Sequence, residues 1–248
     1  MRPAVLVSAH RCEDVADAAS GAAMGADYVE FDVRRMPGGR FVISHDPVRD
    51  AGEGLPTYEE LLEAVAAGGV RAHIDFKFSS PPRLYADPAE SYEVAAARIA
   101  LRHLPAECLL FTSGHDAGVQ ALRTWADAEA PEILVGLSVG QRLRHIRRHK
   151  RFGVRLTELF PAGRVAEANA DVVVPHHWLA VLTVGPWAAR HGVRMLVWTV
   201  DRPYALWFWL RPGRCWMVTS NRPGRAVSLR RVRGGTRPGR TKTTTTQR

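Results

Sequence analysis

The sequence predicts an α/β protein, a (β/α)8 TIM barrel that forms a single domain. Short apolar runs rich in β-branched residues alternate with Ala-rich segments of helical spacing, an alternation typical of a parallel sheet. Eight such repeats fit into roughly 225 residues, which favours a closed barrel over a doubly wound sheet. The glycine motifs GxGxxG and GxxxxGK[ST] are absent from the sequence, which weakens the nucleotide-binding alternative.

The predicted elements follow one another in a regular order. Barrel strands are predicted over residues 4–8, 28–33, 70–76, 108–112, 133–137, 172–174, 195–199 and 216–219. An extra strand over 41–44 is predicted to pair locally through the turn at Pro37-Gly38-Gly39. Helical spacing is found between these strands, for example at 13–25, 58–67, 88–102 and 184–191.

Length and charge indicate one folded body followed by a basic tail. A chain of 248 residues with 46% hydrophobic content buries a large core. The net charge is +9, and residues 230–248 contain seven Lys and Arg side chains with no acid. We therefore expect residues 1–228 to form the barrel and 229–248 to be a disordered low-complexity tail. The tail and a basic segment over 142–155 are predicted to be solvated, with peripheral contact to an anionic membrane as the alternative; no specific nucleic acid is expected.

Cysteine content and apolar segment lengths indicate the compartment. The three cysteines (Cys12, Cys108 and Cys215) form no CxxC pair, which favours a reduced, intracellular protein without a disulfide framework. The first apolar run is too short for a signal peptide, and the aromatic segment 204–210 is too short for a membrane span. A cytoplasmic protein is the prediction, with peripheral membrane association as the alternative.

Three carboxylates lie at the ends of two predicted strands. Side chains two residues apart on a strand project to the same side, so Glu30 points with Asp32, and Asp75 points with Lys77. Active sites of (β/α)8 barrels lie at the carboxyl ends of the strands, where these residues are. Converging carboxylates repel one another unless a cation lies among them, and oxygen ligands suit Mg²⁺ or Ca²⁺. Glu30, Asp32 and Asp75 are therefore predicted to bind one divalent ion; the alternative is a set of buried ion pairs with Lys77 and Arg11.

Two histidines and two cations flank this predicted metal site. His10 and Arg11 follow the first strand, and His45 and Asp46 follow the extra strand. Imidazoles transfer protons, and fixed cations bind phosphate oxygens. A metal site with these neighbours is suited to cleaving a phosphate ester.

Six short segments together resemble one family. They are AHRC (9–12), GADYVEFDV (25–33), GGRFVISHD (38–46), DFK (75–77), VWTVD (197–201) and TSNRP (219–223). In order and composition they resemble the motifs of the glycerophosphodiester phosphodiesterase family, whose fold is a TIM barrel. The resemblance runs from residue 9 to residue 223, nearly the whole predicted body.

The resemblance implies an activity and a set of roles. It implies a phosphoric diester hydrolase of lipid metabolism that converts glycerophosphodiesters to an alcohol and glycerol phosphate. His10 and His45 would be the general acid and base, Arg11 and Lys77 would bind the phosphate, and Trp198 would line the pocket. Glu30, Asp32 and Asp75 would hold the metal. Whether a substrate hydroxyl or water attacks is left open.

Several departures from the family pattern keep alternatives open. Cys12 replaces the motif glycine, Asp75 replaces a glutamate, and the segment 45–75 is shorter than usual, which predicts an open pocket. The alternatives are lysophospholipase-D-like hydrolysis of lysophospholipids and an inactive phosphate-binding barrel. The neighbouring Arg11 is a candidate cause of a lowered pKa of the Cys12 thiol, although no nucleophilic role is expected, because no other feature supports thiol chemistry. His73 is expected to fill space. His176 and His177 are further candidates for contact with the substrate.

Overall fold

The computed structural model describes residues 3–48, 54–140 and 151–233, and in these ranges eight parallel strands close into a barrel. The barrel strands are β1 (Leu6–Ala9), β2 (Tyr28–Arg35), β4 (Arg71–Phe76), β5 (Leu109–Ser113), β6 (Leu134–Val139), β7 (Val172–Pro175), β8 (Arg194–Val197) and β9 (Met217–Ser220). Each pairs with the next, and β9 pairs with β1. The short strand β3 (Phe41–Ile43) pairs with β2 in the antiparallel sense. The predicted (β/α)8 barrel and its extra strand are confirmed.

Helices connect the strands on the outside of the barrel. They are α1 (Val15–Ala23), α2 (Tyr58–Ala67), α3 (Tyr92–Ala100), α4 (Asp116–Glu129), α5 (Arg151–Leu159), α6 (Ala162–Glu167), α7 (His177–Leu179), α8 (Gly185–His191), α9 (Pro203–Trp209) and α10 (Pro223–Arg233). A π-helical turn, Ala180–Val184, joins α7 to α8. Short 3-10 turns lie at Pro82–Ala86, Pro88–Glu90 and Ala106–Cys108.

Local sequence explains why α2 begins where it does. The Thr57 side chain accepts a hydrogen bond from the Glu60 N–H, and the Glu60 carboxylate accepts one from the Thr57 N–H at 2.7 Å. This reciprocal capping satisfies two of the N–H groups that a helix start leaves unpaired. Leu61, Leu62 and Val65 then form the buried face that packs on the barrel.

The predicted boundary of the tail at residue 228 is wrong by at least five residues. Helix α10 continues to Arg233, and the Arg230 guanidinium forms an ion pair with Asp27 at the amino end of β2. Residues 229–233 therefore belong to the folded body, because this ion pair ties the helix to the barrel. Residues 234–248, and 142–150 of the basic segment, lie outside the described residues.

Two apolar layers build the core. The larger one lies between the strands and the surrounding helices and includes Phe31, Ile74 and Phe111. The smaller one fills the barrel interior with Tyr28, Leu110, Val172, Val174, Leu196 and Met217. Because side chains alternate along a strand, the residues that follow these inward-facing ones by two or four positions point toward the carboxyl-end rim. In the described ranges, no helix is both long and apolar enough to cross a bilayer.

Candidate active site

Three carboxylates meet inside the carboxyl-end rim of the barrel, as predicted. Glu30 and Asp32 project from β2, Asp75 projects from β4, and one oxygen from each lies within 4.8 Å of the others. Asp32 and Asp75 are paired in register on neighbouring strands, which fixes their separation. Glu30 and Asp32 are each only 3% exposed, so their charges are buried.

Lys77 extends over this cluster from the end of β4. Its ammonium lies 3.0 Å from Asp32 Oδ1 and forms a second, shorter ion pair with Asp75. Burial lowers the pKa of Lys77, but the charges of Asp75 and Asp32 outweigh it and raise that pKa overall. For Asp75, burial raises the pKa, and the Lys77 ammonium with a hydrogen bond from Thr112 brings the net shift below the ordinary value. The predicted alternative, in which the carboxylates form buried ion pairs, therefore holds for Asp32 and Asp75, which both pair with Lys77. It does not hold for Glu30, which pairs with neither Lys77 nor the Arg11 guanidinium among the described residues.

Two observations show that the cluster fits a divalent cation. Asp32 Oδ2 is buried and has no hydrogen-bond partner among the described residues, although a buried carboxylate oxygen without a partner is costly. Burial and the charges of Asp32 and Asp75 raise the pKa of Glu30 well above its ordinary value. Lys77 alone thus leaves the cluster under-neutralised, and an all-oxygen donor set suits Mg²⁺ or Ca²⁺.

A chain of hydrogen bonds orients His10. Asn221, just past β9, donates from its side-chain nitrogen to Asp201 Oδ2 at 2.7 Å. Its side-chain oxygen therefore faces His10 Nδ1 at 2.8 Å and accepts a hydrogen bond from it. The lone pair of His10 then lies on Nε2, 3.9 Å from Glu30 Oε2. Burial lowers the pKa of His10, against the opposing effect of the Asn221 contact, so the ring is neutral at pH 7.

The turn after His10 holds Arg11 in a left-handed conformation. Arg11 has φ = 58°, and its backbone N–H donates to Glu30 Oε2 at 2.6 Å. The residue with positive φ is therefore Arg11 and not Cys12. Cys12 can thus stand at the glycine position of the motif without backbone strain. The Arg11 guanidinium is partly exposed at the rim, with Nε 3.7 Å from the Glu13 carboxylate, and among the described residues it forms no ion pair with the three clustered carboxylates.

The lowered pKa considered for the Cys12 thiol is wrong. Cys12 is buried, and its N–H donates to the Glu30 carbonyl at 2.8 Å. Burial and the nearby Glu30 carboxylate raise the pKa of the thiol to about 12, and the Arg11 guanidinium, which pairs with Glu13, does not offset them.

His45 is anchored at the same rim through its backbone. The preceding N–H, of Ser44, donates to the Asp32 carbonyl at 3.0 Å. Arg34 donates from one nitrogen to the His45 carbonyl at 2.7 Å and from another to the Lys77 carbonyl at 3.1 Å. The His45 ring contacts Asp46 through Nδ1 at 3.0 Å, and this hydrogen bond lowers the pKa of Asp46.

His73 is a member of a buried polar chain and not the space filler that we predicted. Ser8 Oγ lies 3.2 Å from His73 Nδ1, and Thr112 Oγ1 lies 3.1 Å from His73 Nε2. Thr112 in turn donates to Asp75 Oδ1 at 2.6 Å. Burial lowers the pKa of His73 to about 3, so the ring is neutral.

The aromatic candidates lie at the opposite side of the rim. Trp198 follows β8, donates from its indole N–H to the Val174 carbonyl at 2.9 Å, and packs edge-on against His176. His177 stacks obliquely on His176, and burial together with the nearby Arg202 lowers its pKa. The structure brings neither histidine into the carboxylate cluster.

Sequence reasoning missed four polar residues that position the site. They are Ser8, Arg34, Thr112 and Asp201. Arg34 alone carried a usable signal, since it continues the i, i+2 series of Glu30 and Asp32.

Comparisons with known proteins establish the fold. No protein-family model matches the chain, and no curated protein matches its sequence. Among solved structures, a glycerophosphodiester phosphodiesterase from Parabacteroides distasonis matches with a TM-score of 0.71 at 16% identity, covering 94% of this chain and 100% of that one. An Oleispira antarctica phosphodiesterase, in complex with the product sn-glycerol-3-phosphate, matches with a TM-score of 0.63 at 19% identity, covering 91% and 96%. The Thermotoga maritima glycerophosphodiester phosphodiesterase matches with a TM-score of 0.62 at 17% identity, covering 92% and 100%.

Proposed function

We propose that this protein is a metal-dependent glycerophosphodiester phosphodiesterase, which releases an alcohol and glycerol phosphate. The observation that carries the proposal is the set of three rim carboxylates with oxygens within 4.8 Å of one another and a neutral His10 beside them. One of these carboxylates, Asp32, has an oxygen without a hydrogen-bond partner in the described part of the chain. The fold shared with phosphodiesterases, one of them in complex with sn-glycerol-3-phosphate, supports the substrate class.

Glu30, Asp32 and Asp75 would hold one Mg²⁺ or Ca²⁺, which when bound polarises a phosphoryl oxygen. The ion also reduces the negative charge that a phosphodiester monoanion meets. Arg11, 39% exposed at the rim, supplies a planar guanidinium for two non-bridging oxygens. Lys77 has three N–H donors and engages two carboxylates, which leaves one donor for a phosphate oxygen.

His10 is suited to act as the general base. It is neutral, its Nδ1–H is committed to Asn221, and its free Nε2 faces the carboxylate cluster. It would take the proton from the attacking hydroxyl or water at Nε2.

His45 is suited to act as the general acid. Asp46 accepts a hydrogen bond from its Nδ1, which fixes the orientation of the ring. His45 would give the proton at Nε2 to the leaving alkoxide, and Arg34 holds its backbone at the required place.

The proposal is tested by turnover. Glycerophosphocholine, glycerophosphoethanolamine and lysophosphatidylcholine are each incubated with the protein in Mg²⁺, Ca²⁺ or EDTA. We expect a glycerophosphodiester to be hydrolysed with a divalent ion and not in EDTA. If only lysophosphatidylcholine is hydrolysed, the substrate is a lysophospholipid and not a glycerophosphodiester. If nothing is hydrolysed with any metal, an inactive barrel is favoured.

A further inference from the structure

The strongest feature that the proposed mechanism does not use is the buried chain formed by Ser8, His73 and Thr112. These side chains come from β1, β4 and β5, and all are at most 4% exposed. His73 is the register partner of Glu30 and Thr112 that of Asp75, so the chain lies beside the carboxylate cluster and ends on Asp75. Polar groups are rarely buried this deeply without a role in satisfying or orienting another group.

The hydrogen bonds of this chain have only one consistent direction. Thr112 has a single hydroxyl proton, and it donates this proton to Asp75 Oδ1. The contact between His73 Nε2 and Thr112 Oγ1 must then have Nε2–H as the donor. His73 Nδ1 consequently carries the lone pair and accepts from the Ser8 hydroxyl.

Packing fixes the Thr112 rotamer as well. A Cβ at Gly136, the register partner of Thr112 on β6, would lie only 3.1 Å from the Thr112 methyl carbon. The methyl group therefore occupies space that a glycine leaves open, and the hydroxyl is held on the side of Asp75.

We propose that Thr112, oriented by His73 and Ser8, is a positioning residue that presets Asp75 Oδ1 for a divalent cation. Asp75 has one methylene fewer than glutamate, so its reach toward the cation depends on a fixed side-chain orientation. Groups that hydrogen-bond to a metal ligand typically change metal affinity by about 10- to 100-fold when they are removed. This inference rests on the metal site of the proposed function, although its test needs no turnover.

The test is calorimetric titration of Mn²⁺ into the full chain and its variants. Thr112→Val keeps the shape and removes the donor, and we expect it to weaken Mn²⁺ binding by about 10-fold or more. Thr112→Ser keeps the hydroxyl and should restore affinity to within a few-fold of the unmodified protein. The matched control is Thr219→Val, since Thr219 is also buried in the barrel and its hydroxyl has no partner among the described residues. The Mn²⁺ affinity of this variant should equal that of the unmodified protein.

A second arm tests the chain itself. Ser8→Ala should weaken binding by a smaller factor, because His73 Nδ1 loses its donor and the ring can then compete for the Thr112 proton. The double variant Ser8→Ala/Thr112→Val should bind no more weakly than Thr112→Val alone, since Ser8 acts only through Thr112. Additive losses would indicate independent packing effects and would overturn the proposal.

Two further outcomes separate this inference from the proposed function. If Thr112→Val binds Mn²⁺ as tightly as the unmodified protein, or if Thr219→Val loses as much, the inference is overturned while phosphodiesterase activity stands. If the pattern of affinities is as expected but no phosphodiester is hydrolysed, the positioning role is supported and the proposed function fails.

Discussion

The two halves of the barrel interior share a geometry and differ in chemistry. Near the amino end both are apolar, but toward the rim β1, β2, β4 and β5 present Ser8, Glu30, Asp32, His73, Asp75 and Thr112. Of the other four strands, β7, β8 and β9 contribute the apolar interior residues Val172, Val174, Leu196 and Met217, with Thr219 as a buried polar exception. The same period-two alternation thus builds a polar half, which holds the proposed metal site, and an apolar half that packs.

The difference shows how buried charge is tolerated in this barrel. In the polar half most buried oxygens have hydrogen-bond partners. Among the described residues, Asp32 Oδ2 is the one buried carboxylate oxygen that lacks such a partner. Buried charges cost free energy unless they are paired, so the apolar half and the outer core must supply the stability. The amino-end ion pairs of Asp27 with Arg230 and of Asp171 with Arg123 also support folding away from the rim.

The largest expected effect distinguishes histidines of the two halves. His10→Ala should lower kcat by about 10²- to 10⁴-fold, because it removes the proposed general base. The control is His177→Ala at the apolar side of the rim, which should change kcat by less than about 3-fold. Steady-state kinetics at saturating metal measures both. Equal losses would mean that catalysis is not confined to the polar half.

The next comparison uses two aspartates near opposite ends of β2. Asp32→Asn should weaken Mg²⁺ or Mn²⁺ affinity by about 10-fold or more, since it removes a charged ligand. Asp27→Asn should leave metal affinity unchanged and lower the free energy of unfolding by about 1–3 kcal/mol, because it breaks contacts with Arg230 and the Val7 N–H. Calorimetry and urea unfolding check the two effects. Unaltered metal affinity in Asp32→Asn would exclude Asp32 as a metal ligand.

A third change tests the apolar half directly. Leu196→Ala, at a fully buried interior position, should lower the free energy of unfolding by about 2–5 kcal/mol. Metal affinity should stay within a few-fold of the original, because Leu196 belongs to the apolar cluster of the barrel interior. A large loss of metal affinity without a loss of stability would show that the two halves are coupled.

A smaller effect is expected at Arg34. Arg34→Gln should lower kcat by about 10-fold, since one guanidinium holds the His45 and Lys77 carbonyls together. The neighbouring Arg35→Gln is the control, because Arg35 lies over the Tyr92 ring, away from these carbonyls. Equal kcat values for the two variants would exclude a positioning role for Arg34.

The smallest expected effect is a shift in pH dependence. His10 must be neutral to act as a base, and its pKa lies below the ordinary 6.5 because of burial. The acid limb of kcat/KM, measured at saturating metal, should therefore lie below pH 6.5, with activity lost as the pH falls. Asn221→Asp places a carboxylate on Nδ1, raises the pKa of His10, and should move this limb upward by about one unit. If the acid limb does not move in this variant, it reports the titration of a group other than His10.

Local patterns predicted the strands, the triad and the two rim histidines, since each depends on residues close in sequence. The series Glu30-x-Asp32 and Asp75-x-Lys77 needed only strand periodicity and the rule that barrel sites lie at carboxyl ends. The boundaries of the barrel strands fell within two residues of those observed.

Long-range partners were beyond the reach of the sequence. Thr112 meets Asp75 through the register of β4 and β5, and Asn221 meets His10 across the closure of the barrel. The pKa of the Cys12 thiol is raised and not lowered because the thiol is buried and the neighbouring Arg11 pairs with Glu13, which sequence adjacency does not reveal. The tail boundary was misplaced because Arg230 has its partner, Asp27, about two hundred residues away.

The central claim is that Glu30, Asp32 and Asp75 share one divalent ion at the rim. An anomalous difference map from crystals soaked in Mn²⁺ tests it most directly. We expect a single strong peak about 2.0–2.6 Å from an oxygen of each carboxylate, including Asp32 Oδ2. A map with no peak there, and with the Lys77 ammonium still bridging Asp32 and Asp75, would contradict the account.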